Sequence, residues 1–280
     1  MSAIPDQHFI RRAAVAVSIG ILCLASIGCQ SIFKGQASTV QTGWKQFGQL
    51  HASESPLHRQ WDDWGSQQLK SGDVIFILGN SRVLMGLLNF STFSTEIAAS
   101  PFSHVGIISI EDGKPFVYDT VSGGPRRKEL GWYISRNTIQ RVAFRRPRAE
   151  HTQHIPQVIE FCKQVYRNRV PYDEGLVWGN DKYYCSEFVD MAFREQDIPL
   201  CDLTVISQLP NFDALPATLT MLIELTTPLS PEQAVLFPGN NSYGIWSSPE
   251  LTVLLPPQSP TLVPRITTTT AAIASSYSFD

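Results

Sequence analysis

The stretch KYYCSEFVDMAF, Lys182 to Phe193, places one cysteine, Cys185, where a polar, aromatic-rich loop gives way to a helical pattern. The free N–H groups and dipole of a helix start favour a thiolate there. The same N–H groups can stabilise the oxyanion of an acyl-transfer intermediate. A lone cysteine at a helix start is more often structural, so a nucleophile also requires a base and a group that orients the base. Near neutral pH that base is histidine. Of the six histidines, His8, His51 and His58 lie in or near a polar N-terminal stretch, and His151 and His154 lie where a polar segment starts a helix. Only His104 falls inside a strand pattern, FSHVGII.

The segment SHVGIISIEDGKPFVYDTV supplies the geometry. Two β-rich runs flank Asp112-Gly113, the dipeptide favoured in type I′ turns. With a two-residue loop, residues pair when their numbers sum to 225, so Gly106 faces Asp119 and His104 faces Val121. Asp119 is then diagonal to His104 on one face, within reach of a ring side chain. Its carboxylate can fix the imidazole tautomer, the orienting role in a triad. A three-residue loop would shift the register by one and put Asp119 on the other face. Aspartate is disfavoured inside a strand, which adds a functional hint.

Other elements must position these residues. The apolar run SGDVIFILG (71–79) reads as a turn and a strand, and SRVLMGLLNFSTF (81–93) as a short helix. In IQRVAFRRPR, Val142 and Phe144 alternate inward with arginines outward, as in a strand with one wet face. The helix IPQVIEFCKQVYRN puts Val158, Ile159, Phe161, Cys162 and Val165 on one broad face, so Cys162 reads as core. The segment VPYDEGLVWGNDKYY is loop, and Cys201 reads as structural. A first helix is expected near Pro56 to Leu69. Residues 126–148 carry eight basic side chains, read either as a solvated strand face or as a contact for anionic lipid or wall polymer.

The chain has 280 residues, 43% of them apolar and 17% charged, with a formal net charge of −3. That is enough for a core and gives no reason to expect nucleic acid as a partner. Residues 1–28 join Arg11 and Arg12 to a 16-residue apolar run, Ala13–Gly28, followed by Cys29. The run is short for a spanning helix, which needs about 20 residues. It reads as an export signal. Ser26-Ile27-Gly28-Cys29 resembles a bacterial lipoprotein signal, with Cys29 lipidated, which implies a membrane-anchored protein of the cell envelope facing the periplasm or exterior. An uncleaved anchor and plain secretion are the alternatives. Past it, residues 29–60 read as a tether, 61–255 as the catalytic domain and 256–280 as a flexible tail. Cys162, Cys185 and Cys201 show neither disulfide nor zinc spacing, so no metal and no cofactor is expected.

Four blocks in order, GDVIF, FSHVGI, GKPFVYDT and YDEGLVWGNDKYYCSEFV, resemble the YiiX/YaeF-type permuted papain-fold enzymes of the NlpC/P60 superfamily. The resemblance covers about residues 68–200 and implies an α+β papain-like fold, an antiparallel sheet packed against helices. It implies a cysteine amidase or peptidase acting on cell-wall peptides or other amide or acyl compounds, with Cys185 as nucleophile, His104 as base and Asp119 as orienter. Relatives often carry glutamate where Asp119 stands. Ser103 and Tyr184 are candidates for substrate contact, although Tyr184 is equally suited to packing. Glu187 is either a favourable first-turn carboxylate or a positioning group. The rival readings are an acyltransferase or lipid hydrolase resembling lecithin–retinol acyltransferase, and a non-catalytic envelope-binding module.

Overall fold

The computed structural model describes residues 55–79, 82–83, 88–89, 95–136, 138–214 and 230–265. Proline at the first helical position starts α1 (Pro56–Gln68). Six strands follow: β1 (Val74–Gly79), β2 (His104–Glu111), β3 (Lys114–Val121), β4 (Gly124–Glu129), β5 (Ile139–Pro147) and β6 (Leu251–Gln258). They form one antiparallel sheet in the order β6-β5-β1-β2-β3-β4. The remaining helices are α2 (Leu130–Ile134), α3 (Ile155–Asn168) and α4 (Cys185–Arg194).

The sheet is covered on both faces. Val74, Phe76, Val105, Ile107 and Ala143 meet Cys162 and Val165 of α3 and Phe188 and Phe193 of α4. On the other face Ile75, Ile108, Val117, Val142 and Phe144 meet Trp61 and Trp64 of α1 and Tyr133 of α2. Strand β5 therefore departs from the expected one wet face, because Val142, Ala143 and Phe144 are all fully buried. The five residues expected on the buried face of α3 are the ones it buries.

The arginines near β5 are spent internally. Arg146 makes two hydrogen bonds to the buried carboxylate of Asp73, at 2.8 and 2.7 Å. Arg145 donates to the carbonyls of Trp246 and Leu251. Arg127 pairs with Glu111 and lies over the Phe116 ring. A freely solvated basic face is thus not what residues 126–148 present. Their register is set by carboxylates and carbonyls far along the chain.

The first helix, Pro56–Gln68, lies where it was expected, and its first turn overlaps the stretch assigned to the tether. At the other end β6 runs to Gln258, and the Trp61 indole donates to Pro260 O at 2.8 Å, so the assigned tail begins inside the fold. In the segment 81–93, read as a helix, Arg82–Val83 pairs with Leu88–Asn89 as two short antiparallel strands. The signal segment, Cys29 and residues 266–280 lie outside the described residues.

Candidate active site

The β2–β3 turn has positive φ at Asp112 (49°) and Gly113 (78°), as a type I′ turn requires. Its pairs Ile107 with Tyr118 and Glu111 with Lys114 fix the two-residue register. Gly106 sits where that register sets it against Asp119. A Cβ there would lie 2.8 Å from Tyr118 O and 3.2 Å from the Asp119 Cβ. The bare backbone of Gly106 keeps the path between His104 and Asp119 open. His104 Nε2 and Asp119 Oδ2 are 2.8 Å apart.

Asp119 is fully buried and carries more partners than the sequence suggested. Arg126, its cross-strand neighbour on β4, donates from Nε to Oδ1 at 2.9 Å and from Nη2 to Oδ2. The Tyr133 hydroxyl of α2 donates to Oδ2 at 2.9 Å. Burial alone would raise this carboxyl's pKa, but hydrogen bonds and charge from His104 and Arg126 hold it well below the usual carboxylate range. The carboxylate is ionised and held against rotation by three donors on three elements.

His104 is the first residue of β2, and α4 packs on the opposite face of the sheet with its N-terminus at that strand's end. Cys185 meets the imidazole there. With Nε2 committed to Asp119, Nδ1 is left for the thiol. Burial opposes a charge on the His104 ring. The Cys185 sulfur and the Asp119 carboxylate outweigh it and raise the imidazolium to about 9. Burial likewise pushes the Cys185 thiol up, but the charge and hydrogen bond of His104, the Ser186 hydroxyl and the Val105 N–H bring it below its ordinary value. Each group thus favours the charged form of the other. The other described thiols are opposite in character. Burial pushes both Cys162 and Cys201 well above the ordinary thiol value.

The remaining candidates are placed in the scaffold around the pair. The Ser103 hydroxyl accepts from Gly79 N–H at 2.9 Å, which extends the β1–β2 pairing. Tyr184 is buried, and its hydroxyl accepts from Leu236 N–H at 2.7 Å. Glu187 is fully buried at the third position of α4, and its Oε1 accepts from Gly179 N–H at 2.8 Å. Its Oε2 has no hydrogen-bond partner among the described residues. Burial, with Asp173 adding like charge, raises Glu187 to about 7. Asp173 in turn accepts from the N–H groups of Gly175 (3.0 Å) and Val177 (2.6 Å). Together the two carboxyls hold the loop that leads into Cys185.

Sequence reasoning missed Arg126, Tyr133 and Tyr172. The first two were hidden in a basic run and a short helix. Tyr172 forms a β-bridge with Tyr183, two residues before Cys185, and burial first and the Cys185 charge second push its hydroxyl pKa up.

A family model described as permuted papain-like amidase enzyme, YaeF/YiiX, C92 family, matches residues 68–254. The chain belongs to this family. It is 26% identical over 128 residues to the uncharacterised protein YiiX of Escherichia coli (strain K12), a match covering 45% of this chain and 58% of YiiX. The crystal structure of the metalloprotein YiiX from Escherichia coli O157:H7 superimposes with a TM-score of 0.53 at 22% identity, over 66% of this chain and 96% of that one. The α+β, papain-like architecture is therefore the fold of this family. Its antiparallel sheet and helices carry His104 ahead of Cys185 in the chain, the permuted order.

Proposed function

We propose that this chain hydrolyses amide bonds, with Cys185 as nucleophile, His104 as general base and then acid, and Asp119 as orienter. The observation that carries the reading is the position of His104, bonded through Nε2 to a buried, triply held carboxylate and paired through its other side with a thiol of lowered pKa. In the derived sequence the Cys185 sulfur attacks the carbonyl carbon, and first-turn N–H groups of α4 face the developing oxyanion. His104 gives its proton to the departing amine, and the acyl group stays on sulfur as a thioester. His104 then takes a proton from water as the water oxygen attacks the thioester, which frees the acid and restores the thiol.

No step passes through a metal. The described residues offer two groups that could hold a cation, His58 with Asp62 and Glu129, and His151 with Glu150 and Glu250. Neither includes a residue of the triad. The pattern of residues 1–29 supports export and a lipid anchor at Cys29 in the cell envelope, where wall peptides are candidate substrates. Among the described residues no helix is long and apolar enough to cross a membrane.

The test is the pH dependence of alkylation by iodoacetamide, mapped by mass spectrometry, in the wild type and in His104→Ala. Labelling of Cys185 well below pH 8.5, lost in the variant, is the expected result, with Cys162 and Cys201 unlabelled at pH 6. Cys185→Ala should abolish turnover of a fluorogenic amide while thermal unfolding is retained. Labelling of Cys185 with an ordinary thiol profile, indifferent to His104, would overturn the assignment.

A further inference from the structure

A groove of about 720 Å³ lies between the β3–β4 turn and the C-terminal end of α3. One wall is the β3–β4 turn at Gly123 and Pro125, and the facing wall is the C-terminal end of α3 with Arg167 and Arg169. Tyr172 and Glu174 close its inner side. Two contacts connect it to the catalytic pair. Tyr172 bridges to Tyr183, two residues before Cys185. The Thr120 hydroxyl of β3 lies 3.5 Å from Tyr183 O, which joins the strand leading to the turn to the same segment.

The walls mix aromatic rings with charge, Tyr166 and Tyr172 standing beside Arg167, Arg169 and Glu174. No lining residue is Leu, Ile, Val, Met or Phe. The charged groups are two arginines and one glutamate. Arg167 is shared with Glu160 in an exposed pair, which holds it weakly. Arg169 forms no ion pair among the described residues. It also occupies the residue after α3 with φ 52° and ψ 43°, the left-handed conformation that glycine ordinarily supplies at a helix end. An arginine there costs stability that glycine would not, and it places a guanidinium on the wall.

We propose that this groove binds the substrate chain and reads a carboxylate on it through Arg169, assisted by Arg167. This deepens the amidase reading and rests on it. The substrate is then an acidic peptide or a similar polar amide. A carboxylate on the acyl side corresponds to an acidic side chain or cap, and one on the amine side to a free terminus.

The experiment uses the full chain and two matched pairs of probes. The first pair is succinyl-alanyl and acetyl-alanyl chloromethyl ketone, whose inactivation rates read the acyl side. The second is the 4-aminobenzoate and plain anilide amides of acetyl-alanine, whose hydrolysis reads the amine side. Each is measured in the wild type, Arg169→Gly and Arg169→Lys. The expected result is a preference for the charged member of at least one pair by about tenfold, the size of one charge-assisted hydrogen bond. That preference should fall to within about twofold in Arg169→Gly and be partly restored in Arg169→Lys. Which pair shows it identifies the source of the carboxylate. Arg169→Gly relieves the left-handed strain, so its melting temperature should hold or rise, and a loss of preference is not a folding effect. Equal rates for charged and neutral probes, with Cys185 labelled normally, would overturn the groove proposal alone. Failure of either ketone to label Cys185 would overturn the amidase reading and the groove proposal with it.

Discussion

Asp119→Asn keeps the shape of the orienting side chain and removes its charge. His104 is held at about 9 against an ordinary 6.5, a preference for the imidazolium of about 3 kcal/mol. That preference survives burial because four favourable contributions oppose it. Two come from Cys185, and two come from Asp119, through its hydrogen bond and its charge. In the variant the burial penalty stays whole while two of the four opposing contributions are removed. The imidazolium should then titrate near 7 instead of near 9, by about the size expected for losing one adjacent carboxylate. The thiolate–imidazolium pair exists between the lowered thiol pKa and the raised imidazole pKa, so its window closes from the alkaline side. The assay is kcat/KM for a fluorogenic amide from pH 4 to 10, because acylation needs the imidazolium to protonate the departing amine, whereas alkylation needs only the thiolate. At pH 8 the variant should retain about a tenth of the paired form, and the descending limb should move down by about two pH units. Arg126 would lose its counter-charge, which costs up to about 3–5 kcal/mol, so unfolding must be followed in parallel and rates taken below the transition. A folded variant whose descending limb stays near 9 would refute the claim that Asp119 charges and orients His104.

Two further outcomes follow from the same geometry. Gly106→Ala puts a methyl 2.8 Å from Tyr118 O and 3.2 Å from the Asp119 Cβ, so the strands must part. The expected result is a loss of at least about tenfold in alkylation at pH 6, with destabilisation of about 1–3 kcal/mol by denaturant titration. Wild-type behaviour would mean the His104–Asp119 contact tolerates a side chain in its path. Glu187→Gln tests the buried carboxyl at about 7. A folded value raised above the ordinary 4.5 contributes stability below pH 4.5 that is lost as pH rises through 7. The amide removes that loss, so the variant should be more stable than wild type by about 3 kcal/mol at pH 8 and near parity at pH 4.5. An equal difference at both pH values would show that Glu187 is not the group titrating.

The hairpin was legible because a type I′ dipeptide leaves no freedom in the count. Once Asp112-Gly113 is the turn, Asp119 must share a face with His104. Cys185 was legible as the first residue of an amphipathic pattern, and Cys162 as one of five residues on a single helical face. Arg126 was not legible, because its partner is set by β3–β4 pairing and a run of arginines reads as solvent-facing when one strand face is assumed to be wet. Ala143 fully buried between Val142 and Phe144 shows why that assumption failed. Local period also could not separate a short helix from the paired strands at Arg82–Val83 and Leu88–Asn89. The fold's outer limits at Pro56 and Pro260 depend on Trp61 joining them, a contact across 199 residues that no window sees.

Cys185 and His104 sit on separate elements, α4 and β2, and meet only in the folded chain. An unfolded chain therefore carries Cys185 as an ordinary thiol, mostly protonated at pH 6 and slow toward alkylating and oxidising agents. Reactivity switches on when α4 docks beside His104. On the proposed assignment, the labelling rate of this one sulfur at mildly acid pH counts the assembled molecules in a sample, and Cys185 is shielded from modification until folding is complete.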